Sequence, residues 1–323
     1  MSAGEPLAHT PVMAAEVLEL LSPPAGGTTV DFTVGAGGHA RLLAERLGRQ
    51  GRLLGFDKDP EALRLAEARL RPSPQEAAAG WPAIELVQAS FAAAASELAQ
   101  RGVAAVDAAL ADLGLSSMQL AAPGRGFSFL AEAPLDMRMD PRQALTAEQV
   151  VNQFSERELA DLIYQFGEER RSRRIARAIV RARPLRTCAE LARVVAAASR
   201  SMKSSRRAQR LHPATRTFQA LRICVNSELE ELEQWLEQLP ALLAPGGRAA
   251  VIAFHSLEDR RVKQAFRQAQ NAGQARLLTP HPLRPSAAEQ IQNPRARSAR
   301  LRGLERMREG DRGHDRTLRA ENR

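Results

Sequence analysis

Short apolar runs alternate with helical patterns between Thr28 and Asp112, and this alternation limits the possible folds more than any other feature of the chain. It is typical of a parallel sheet whose strands are connected by helices. The pattern predicts four strands, at residues 28–30, 52–56, 84–88 and 106–111. Because ligands of such sheets bind at the carboxyl ends of the strands, that edge is where functional residues are expected.

A glycine-rich turn follows the first predicted strand. Asp31 ends the strand, and Gly35, Gly37 and Gly38 precede a predicted helix. Glycines let a ligand approach the backbone closely. The turn has an acid before it and lacks the third glycine of the dinucleotide fingerprint, which favours a cofactor with a cationic amino-acid group and no phosphate. S-adenosylmethionine is such a cofactor, and a purely structural turn is the alternative.

Two further aspartates end predicted strands. Asp57 lies twenty residues after Gly37, where a carboxylate can accept hydrogen bonds from both ribose hydroxyls of a nucleoside. Its alternative role is to cap the next helix, but Asp59 fills that role better because Pro60 follows it. Asp112 ends the fourth strand and could either hold the cofactor or accept a hydrogen bond from the group that reacts with it. Phe91 follows the third strand and could contact an adenine or pack in the core.

The pattern after Asp112 is largely helical until a further strand at 248–254. Since 323 residues exceed the usual size of a single core, two units are expected. We predict a discontinuous sheet domain at 1–122 and 215–302, interrupted by an inserted helical domain at 123–214.

The carboxy-terminal region has a different composition. Residues 298–302 alternate with period two and predict an edge strand. Residues 268–297 are rich in Gln, Pro, Asn and Arg and are predicted to be poorly ordered, as is the charged tail at 303–323.

Positive charge is concentrated in one part of the chain. Residues 165–223 contain sixteen Lys and Arg against three Glu, whereas the rest of the chain has a net charge of −4. A local excess of this kind favours a polyphosphate partner, because phosphate contacts release condensed counterions. The inserted domain is therefore predicted to bind RNA; a solvated helix face and, less favoured, an anionic membrane are the alternatives.

Several functional classes are disfavoured. No apolar stretch approaches the ~20 residues of a membrane helix, and the first thirty residues lack a secretory signal, so a cytoplasmic protein is expected. Covalent catalysis by a cysteine near the active loop is disfavoured, because neither Cys188 nor Cys224 follows the fourth strand. The scattered histidines predict no metal site.

Several long strings resemble one family, the small-subunit ribosomal RNA methyltransferase H family. They include GFDKDP at 55–60, DLGLSS at 112–117, RGFSF at 125–129, PLDMRMD at 134–140, HPATRTFQALR at 212–222 and FHSLEDR at 254–260. The resemblance extends from His9 to about Arg302 and is far more specific than a glycine turn. It implies a class I, Rossmann-like α/β methyltransferase with a seven-stranded sheet and an inserted helical domain. The implied reaction is adenosylmethionine-dependent N4-methylation of a cytidine in the decoding region of 16S ribosomal RNA.

The resemblance also implies site residues, by matching position. The implied cofactor-binding residues are Gly37, Gly38, His39, Asp57, Phe91, Asp112 and Gln119. Asp112 is the candidate catalytic residue, and the candidate substrate-binding residues are Arg125, Phe127, Arg138, His212 and Arg216. Phe127 or Phe129 could stack on the target base, and Arg216 could either reach the substrate or clamp the domains.

Three positions depart from the family pattern, namely Phe32, Ala36 and Met118; the last leaves the placement of Gln119 open. The expected partner is 16S ribosomal RNA in the small subunit, and a homodimer is compatible with the sequence. The alternative functions are another RNA or DNA amino-methyltransferase, or a non-catalytic RNA-binding assembly protein that kept the cofactor fold.

Overall fold

The computed structural model describes residues 11–115, 117–122, 124–129, 132–199, 212–308 and 310. The strands are β1 (Thr28–Asp31), β2 (Arg52–Asp57), β3 (Ala83–Gln88), β4 (Val106–Asp112), β5 (Leu243–Ala253), β6 (Ala275–Leu277) and β7 (Arg300–Arg306). The helices are α1 (Ala14–Leu21), α2 (Gly38–Leu47), α3 (Pro60–Leu70), α4 (Pro74–Ala79), α5 (Ala94–Gln100), α6 (Ser117–Ala121), α7 (Ala147–Gln153), α8 (Glu156–Gly167), α9 (Ser172–Arg181), α10 (Cys188–Ser199), α11 (Thr215–Asn226), α12 (Glu228–Leu242), α13 (Ser256–Asn271) and α14 (Ala287–Gln292). Short 3-10 helices lie at Phe91–Ala93 and Pro294–Ser298.

The chain forms two compact units, which we call the sheet unit, residues 1–114 with 230–323, and the helical unit, residues 115–229. The helical unit is wider than the predicted insertion at 123–214 because α11, expected in the sheet domain, packs on α8. Among the described residues, no helix is long and apolar enough to cross a membrane.

The sheet unit contains one seven-stranded sheet, in the order β3-β2-β1-β4-β5-β7-β6. Strands β1 to β5 are parallel, and β7 is antiparallel to both of its neighbours. The predicted seven-stranded α/β fold is therefore confirmed. The chain runs in opposite lateral directions from β1 and β4, which makes the gap between their carboxyl ends the topological switch point where ligands bind.

Alternating residues of the strands face two apolar layers. On β4, Ala109 and Ala111 join a cluster with residues of α5, α12 and α13, whereas Ala108 and Leu110 join a second cluster with residues of α1, α2 and α3. The sheet is thus buried on both faces, as parallel sheets usually are. This packing fixes the strand ends on which the functional residues lie.

The structure corrects the predictions for the carboxy-terminal region. The last strand, β7, lies between β5 and β6 and is not an edge strand, because β6 forms the edge. It extends to Arg306, so residues 303–306 belong to the sheet and not to a tail. The stretch 268–297, predicted to be poorly ordered, includes the end of α13, β6 and α14. Most of the predicted tail lies outside the described residues.

The helical unit has its own apolar core, built from α7 to α11. Leu159 and Ile163 of α8, Ile175 and Ile179 of α9, and Leu221 of α11 are fully buried in it. Helices α7 and α8 begin with capping boxes at Thr146 and Ser155, which satisfy free amides of the first turn.

Candidate active site

The glycine turn after β1 is fixed by backbone contacts to β2. The amide of Val34 donates to the carbonyl of Phe56 at 2.8 Å, and the amide of Gly35 donates to Oδ2 of Asp57 at 3.0 Å. The other carboxylate oxygen of Asp57 accepts from the amide of Asp59 at 2.9 Å. Asp57 therefore ties the turn to β2, a role that its position in the sequence did not reveal.

The predicted cap of α3 is confirmed. Asp59 is the N-cap residue, and its side chain accepts from the amide of Glu61 at 3.1 Å, with Pro60 in the first helical position. Asp57 is therefore not needed as the cap, and its carboxylate keeps unused lone pairs at the strand end.

The glycines of the turn have different constraints. Gly37 has a left-handed φ of 80°, and a Cβ there would lie 3.2 Å from Cα of Ala66 in α3. A side chain at Gly37 would therefore crowd Ala66, and its effect on a ligand stays a prediction. At Gly35, also left-handed, a Cβ would meet only the carbonyl oxygen of Thr33, at 3.8 Å. Gly35 is thus where the backbone has room for a neighbour, and Gly38 begins α2.

Asp112 lies at the switch point, where it contacts Thr33 and has His39 nearby. Its amide donates to Oγ1 of Thr33 at 2.6 Å, and its Oδ2 lies 3.6 Å from Nε2 of His39, whose side chain is only 7% exposed. Within the described part of the chain, Oδ1 of Asp112 is buried and accepts no hydrogen bond. Since a buried polar atom without a partner is costly, this oxygen is well placed to accept from a bound ligand.

Burial raises the pKa of all three strand-end carboxyls. The pKa of Asp31 rises to about 7, that of Asp57 to about 6 and that of Asp112 to about 8. The charges of Asp31 and Glu258 raise the pKa of Asp112 further, and the charge of Arg295 opposes them. Carboxylates that are costly to ionise in the free protein favour a cationic ligand.

Glu258 and Arg295 were missed by the sequence reasoning. Glu258 is 3% exposed, and its Oε2 accepts from the amides of Phe254 and His255 at the end of β5, in a capping box with His255 as N-cap. The box spacing could have indicated this contact. Arg295 gave no usable signal, because it lies in the stretch predicted to be poorly ordered.

The other two predicted cofactor-binding residues are Phe91 and Gln119. Phe91 is half-buried and packs edge-on against Trp235 of α12, with ring centroids 5.9 Å apart. It contributes to the core, and an adenine contact stays a prediction. Gln119 is buried on α6 in the helical unit.

Two of the predicted substrate-binding arginines make contacts inside the helical unit. Arg125 donates to the carbonyls of Arg138 and Met139, both at 3.0 Å. Arg138 forms a two-pronged ion pair with Asp136 and donates to the carbonyls of Pro141 and Gln143. These contacts shape the loop between α6 and α7, so neither guanidinium is fully available to RNA.

The aromatic candidates differ in exposure. Phe127 is 7% exposed and packs in the core of the helical unit, so the structure does not support stacking of its ring on a base. His212 is exposed, and its ring stacks on Phe129 with centroids 4.6 Å apart. Arg216 has a side chain 52% exposed and donates to the carbonyl of Glu168 at 3.1 Å. Its partners are therefore in the helical unit.

The strand order, the glycine turn after β1 and the acids at the ends of β1, β2 and β4 define a Rossmann-like, S-adenosylmethionine-dependent methyltransferase. A family model described as the MraW methylase family matches residues 6–307, and the chain belongs to this family. The resemblance noted in the sequence is confirmed.

Relatives match over nearly their whole length. "Ribosomal RNA small subunit methyltransferase H" of Koribacter versatilis is 53% identical over 302 residues, which cover 94% of this chain and 95% of the relative. The protein of the same name from Cyanothece sp. is 49% identical, with 93% and 95% covered. A solved rRNA methylase from Streptococcus thermophilus is 12% identical with a TM-score of 0.41, and 91% and 94% of the chains are covered.

Proposed function

We propose that this protein transfers a methyl group from S-adenosylmethionine to N4 of a cytidine in the decoding region of 16S ribosomal RNA. The observation that carries the proposal is the 53% identity, over 94% of the chain, to a relative named for small-subunit ribosomal RNA methylation. A substrate of this kind places the reaction in the cytoplasm and makes the small ribosomal subunit the partner.

The strand ends of the sheet unit fit the cofactor. Asp57 retains lone pairs for ribose hydroxyls, and Gly35 leaves its backbone open to a neighbour. Asp31 and Asp112, whose ionisation is disfavoured by burial, would become more acidic beside a sulfonium or ammonium group. When bound, the cofactor supplies an electrophilic methyl group.

Asp112 is the proposed proton acceptor. The lone pair of the exocyclic amine of cytosine is delocalised into the ring, so a carboxylate that accepts an N–H bond favours the nucleophilic, pyramidal amine. Oδ1 of Asp112 is a buried acceptor at the switch point that accepts no hydrogen bond from the described residues, and Thr33 holds the backbone amide of Asp112. A role for Asp112 in holding the cofactor amino group is the competing assignment.

We propose that the helical unit binds the RNA. On α9, residues Ile175, Ala176 and Ile179 face the core, while Arg173 and Arg174 are exposed. Arg181, about two turns after Arg174, is also exposed, and none of these three arginines has an acidic partner within the described residues. A stripe of uncompensated guanidinium groups suits RNA phosphates.

The test is methyl transfer in vitro followed by nucleoside analysis. Purified protein, labelled S-adenosylmethionine and small subunits from a strain lacking the enzyme should yield N4-methylcytidine, with Asp112→Asn as the inactive control. Label in another nucleoside would favour a different RNA amino-methyltransferase. Cofactor binding without any transfer would favour the non-catalytic assembly protein.

A further inference from the structure

The side chain of Thr33 connects the two strands that flank the switch point. The amide of Phe32, just after β1, donates to the carbonyl of Leu110 on β4 at 2.8 Å. The main chain then turns to β2, where the amide of Val34 donates to a carbonyl at 2.8 Å. Two residues further along β4, the amide of Asp112 donates to Oγ1 of Thr33 at 2.6 Å. A side chain therefore continues the connection between β1 and β4 beyond the last paired residues of the two backbones.

Thr33 also contacts the carboxyl at the end of β1. Its amide donates to Oδ1 of Asp31 at 3.1 Å, and its hydroxyl lies 3.5 Å from the same oxygen. Aspartates often bind the backbone two residues later in this way, and that contact alone would satisfy the turn. The turn does not require the second contact, to Asp112. Because a hydroxyl both donates and accepts, Thr33 can donate to Asp31 while it accepts from the amide of Asp112.

The two acids that Thr33 connects repel each other when both are ionised. Burial is the largest cause that raises the pKa of Asp112 to about 8, and the charge of Asp31 raises it further. Burial also raises the pKa of Asp31 to about 7, whereas the amide and the hydroxyl of Thr33 lower it. A bound positive charge would favour the ionised form of both carboxyls. Thr33 thus joins two groups that a cationic ligand would stabilise together.

We propose that Thr33 is a positioning residue for cofactor binding, which holds Asp31 and Asp112 in place to receive the positively charged amino-acid part of S-adenosylmethionine. The inference rests on the proposed function, in which these two carboxyls lie beside a cationic group of the cofactor. Thr33 acts through the two aspartates and needs no contact with the cofactor itself. Its hydroxyl should therefore matter for the amino-acid part of the ligand and not for the adenosine part.

The experiment is calorimetric titration with S-adenosylhomocysteine, which keeps the amino-acid group, and with methylthioadenosine, which lacks it. Thr33→Val removes the hydroxyl and should weaken binding of S-adenosylhomocysteine about tenfold, the order of one lost hydrogen bond. Methylthioadenosine should bind to this variant as it does to the wild type. Thr33→Ser should restore the affinity for S-adenosylhomocysteine, because a serine hydroxyl can make the same two contacts.

Thr29→Val is the matched control. Thr29 is a fully buried threonine on β1, paired with Ala108 of β4, and its Oγ1 has no hydrogen-bond partner among the described residues. Valine keeps the branched shape of the side chain, so this variant should bind both ligands as the wild type does. If Thr33→Val does not fold, Thr33→Ala makes the same test, because it leaves space for a water molecule at the amide of Asp112.

Three results would overturn the inference: an unchanged affinity of Thr33→Val for S-adenosylhomocysteine, an equal loss for both ligands, or a Thr33→Ser variant that binds as weakly as Thr33→Val. An equal loss would show that the hydroxyl supports the whole turn and not the two carboxyls. Nucleoside analysis keeps this inference apart from the proposed function. Absence of N4-methylcytidine with the wild-type protein would reject the proposed function, whereas the binding data decide the role of Thr33.

Discussion

The ionisable side chains of the two units differ in sign and in exposure to solvent. In the sheet unit, Asp31 is buried and Asp57 and Asp112 are half-buried at strand ends, and desolvation opposes the ionisation of all three. On α9 of the helical unit, Arg173 and Arg174 are exposed to solvent. Buried charges act strongly over short distances, whereas exposed charges are screened by salt and act collectively. The strand-end carboxyls of the sheet unit are therefore suited to catalysis and cofactor binding, whereas the exposed arginines of the helical unit are suited to binding a polyanion.

The largest effect is expected at the buried carboxylate of the switch point. Asp112→Asn should lower the single-turnover rate by about 100-fold or more, because a positioned acid or base contributes roughly 10²–10⁴-fold. The fold should persist, since the amide of residue 112 can still donate to Thr33. A rate within a few-fold of wild type would show that Asp112 does not take part in methyl transfer. The proposed division between a catalytic sheet unit and an RNA-binding helical unit would then be weaker.

The next effect concerns cofactor affinity. Asp57→Ala should weaken S-adenosylmethionine binding by about 1.5 to 3 kcal/mol, the value of a hydrogen bond to a charged group, and it also releases the amide of Gly35. Calorimetric titration of each variant with S-adenosylmethionine measures the change in affinity. Asp59→Ala is the matched control, because it removes the cap of α3 and should lower stability by about 1 kcal/mol with little change in affinity. Equal affinities in the two variants would contradict a direct role for Asp57.

In the helical unit, the expected effect depends on salt. Replacing Arg173, Arg174 and Arg181 by Gln should weaken RNA binding and flatten the log–log salt dependence by roughly 0.7 to 0.9 per lost phosphate contact. Cofactor affinity should not change. Arg157→Gln on α8 provides the control, because Arg157 already lies 3.9 Å from Asp161. If the slope of log affinity against log salt concentration is unchanged in the triple variant, α9 does not bind the RNA phosphates.

A smaller effect is expected at two glycines of the sheet unit. Gly37, with φ 80° and ψ 19°, is left-handed, so alanine should cost about 1 kcal/mol of stability, whereas Gly48, with φ 67° and ψ −174°, has a conformation that almost only glycine adopts, so alanine should cost about 1 to 3 kcal/mol. A Cβ at Gly37 would also crowd Ala66, whereas none of the described residues lies within 4 Å of a Cβ at Gly48, so both variants should melt below the wild type by similar amounts. Thermal melts compare the two. If Gly37→Ala is no less stable than Gly48→Ala but loses the cofactor, the constraint at Gly37 comes from the ligand after all.

The last effect is a pH dependence of stability in the cofactor-free protein. The folded-state pKa of Asp112, about 8, exceeds the usual aspartate value of 3.8, so its contribution to stability is complete below about pH 4 and is lost as pH rises towards 8. The melting temperature of the cofactor-free protein should therefore fall less between pH 5 and 8 in Asp112→Asn than in the wild type. Parallel curves would show that this carboxyl is better solvated than its burial indicates.

The sequence by itself determined the local features. The apolar runs predicted β1 to β4 within a residue or so at each end, and Asp59-Pro60 predicted the start of α3, because strands and caps depend on neighbouring residues. The acids at strand ends followed from the same pattern, since parallel strands end at one edge.

Tertiary structure decided what depends on distant partners. Phe127 and Phe129 are equivalent in sequence, yet only Phe129 stacks on exposed His212, because Phe127 packs in the core of the helical unit. The region of Arg295 was predicted to be poorly ordered from its composition, but it forms a 3-10 helix that leads into β7, because Ala296 is buried and β7 pairs with β5. The physical reason is that burial and electrostatic coupling arise between residues far apart in the chain, and no local pattern encodes which of them will meet.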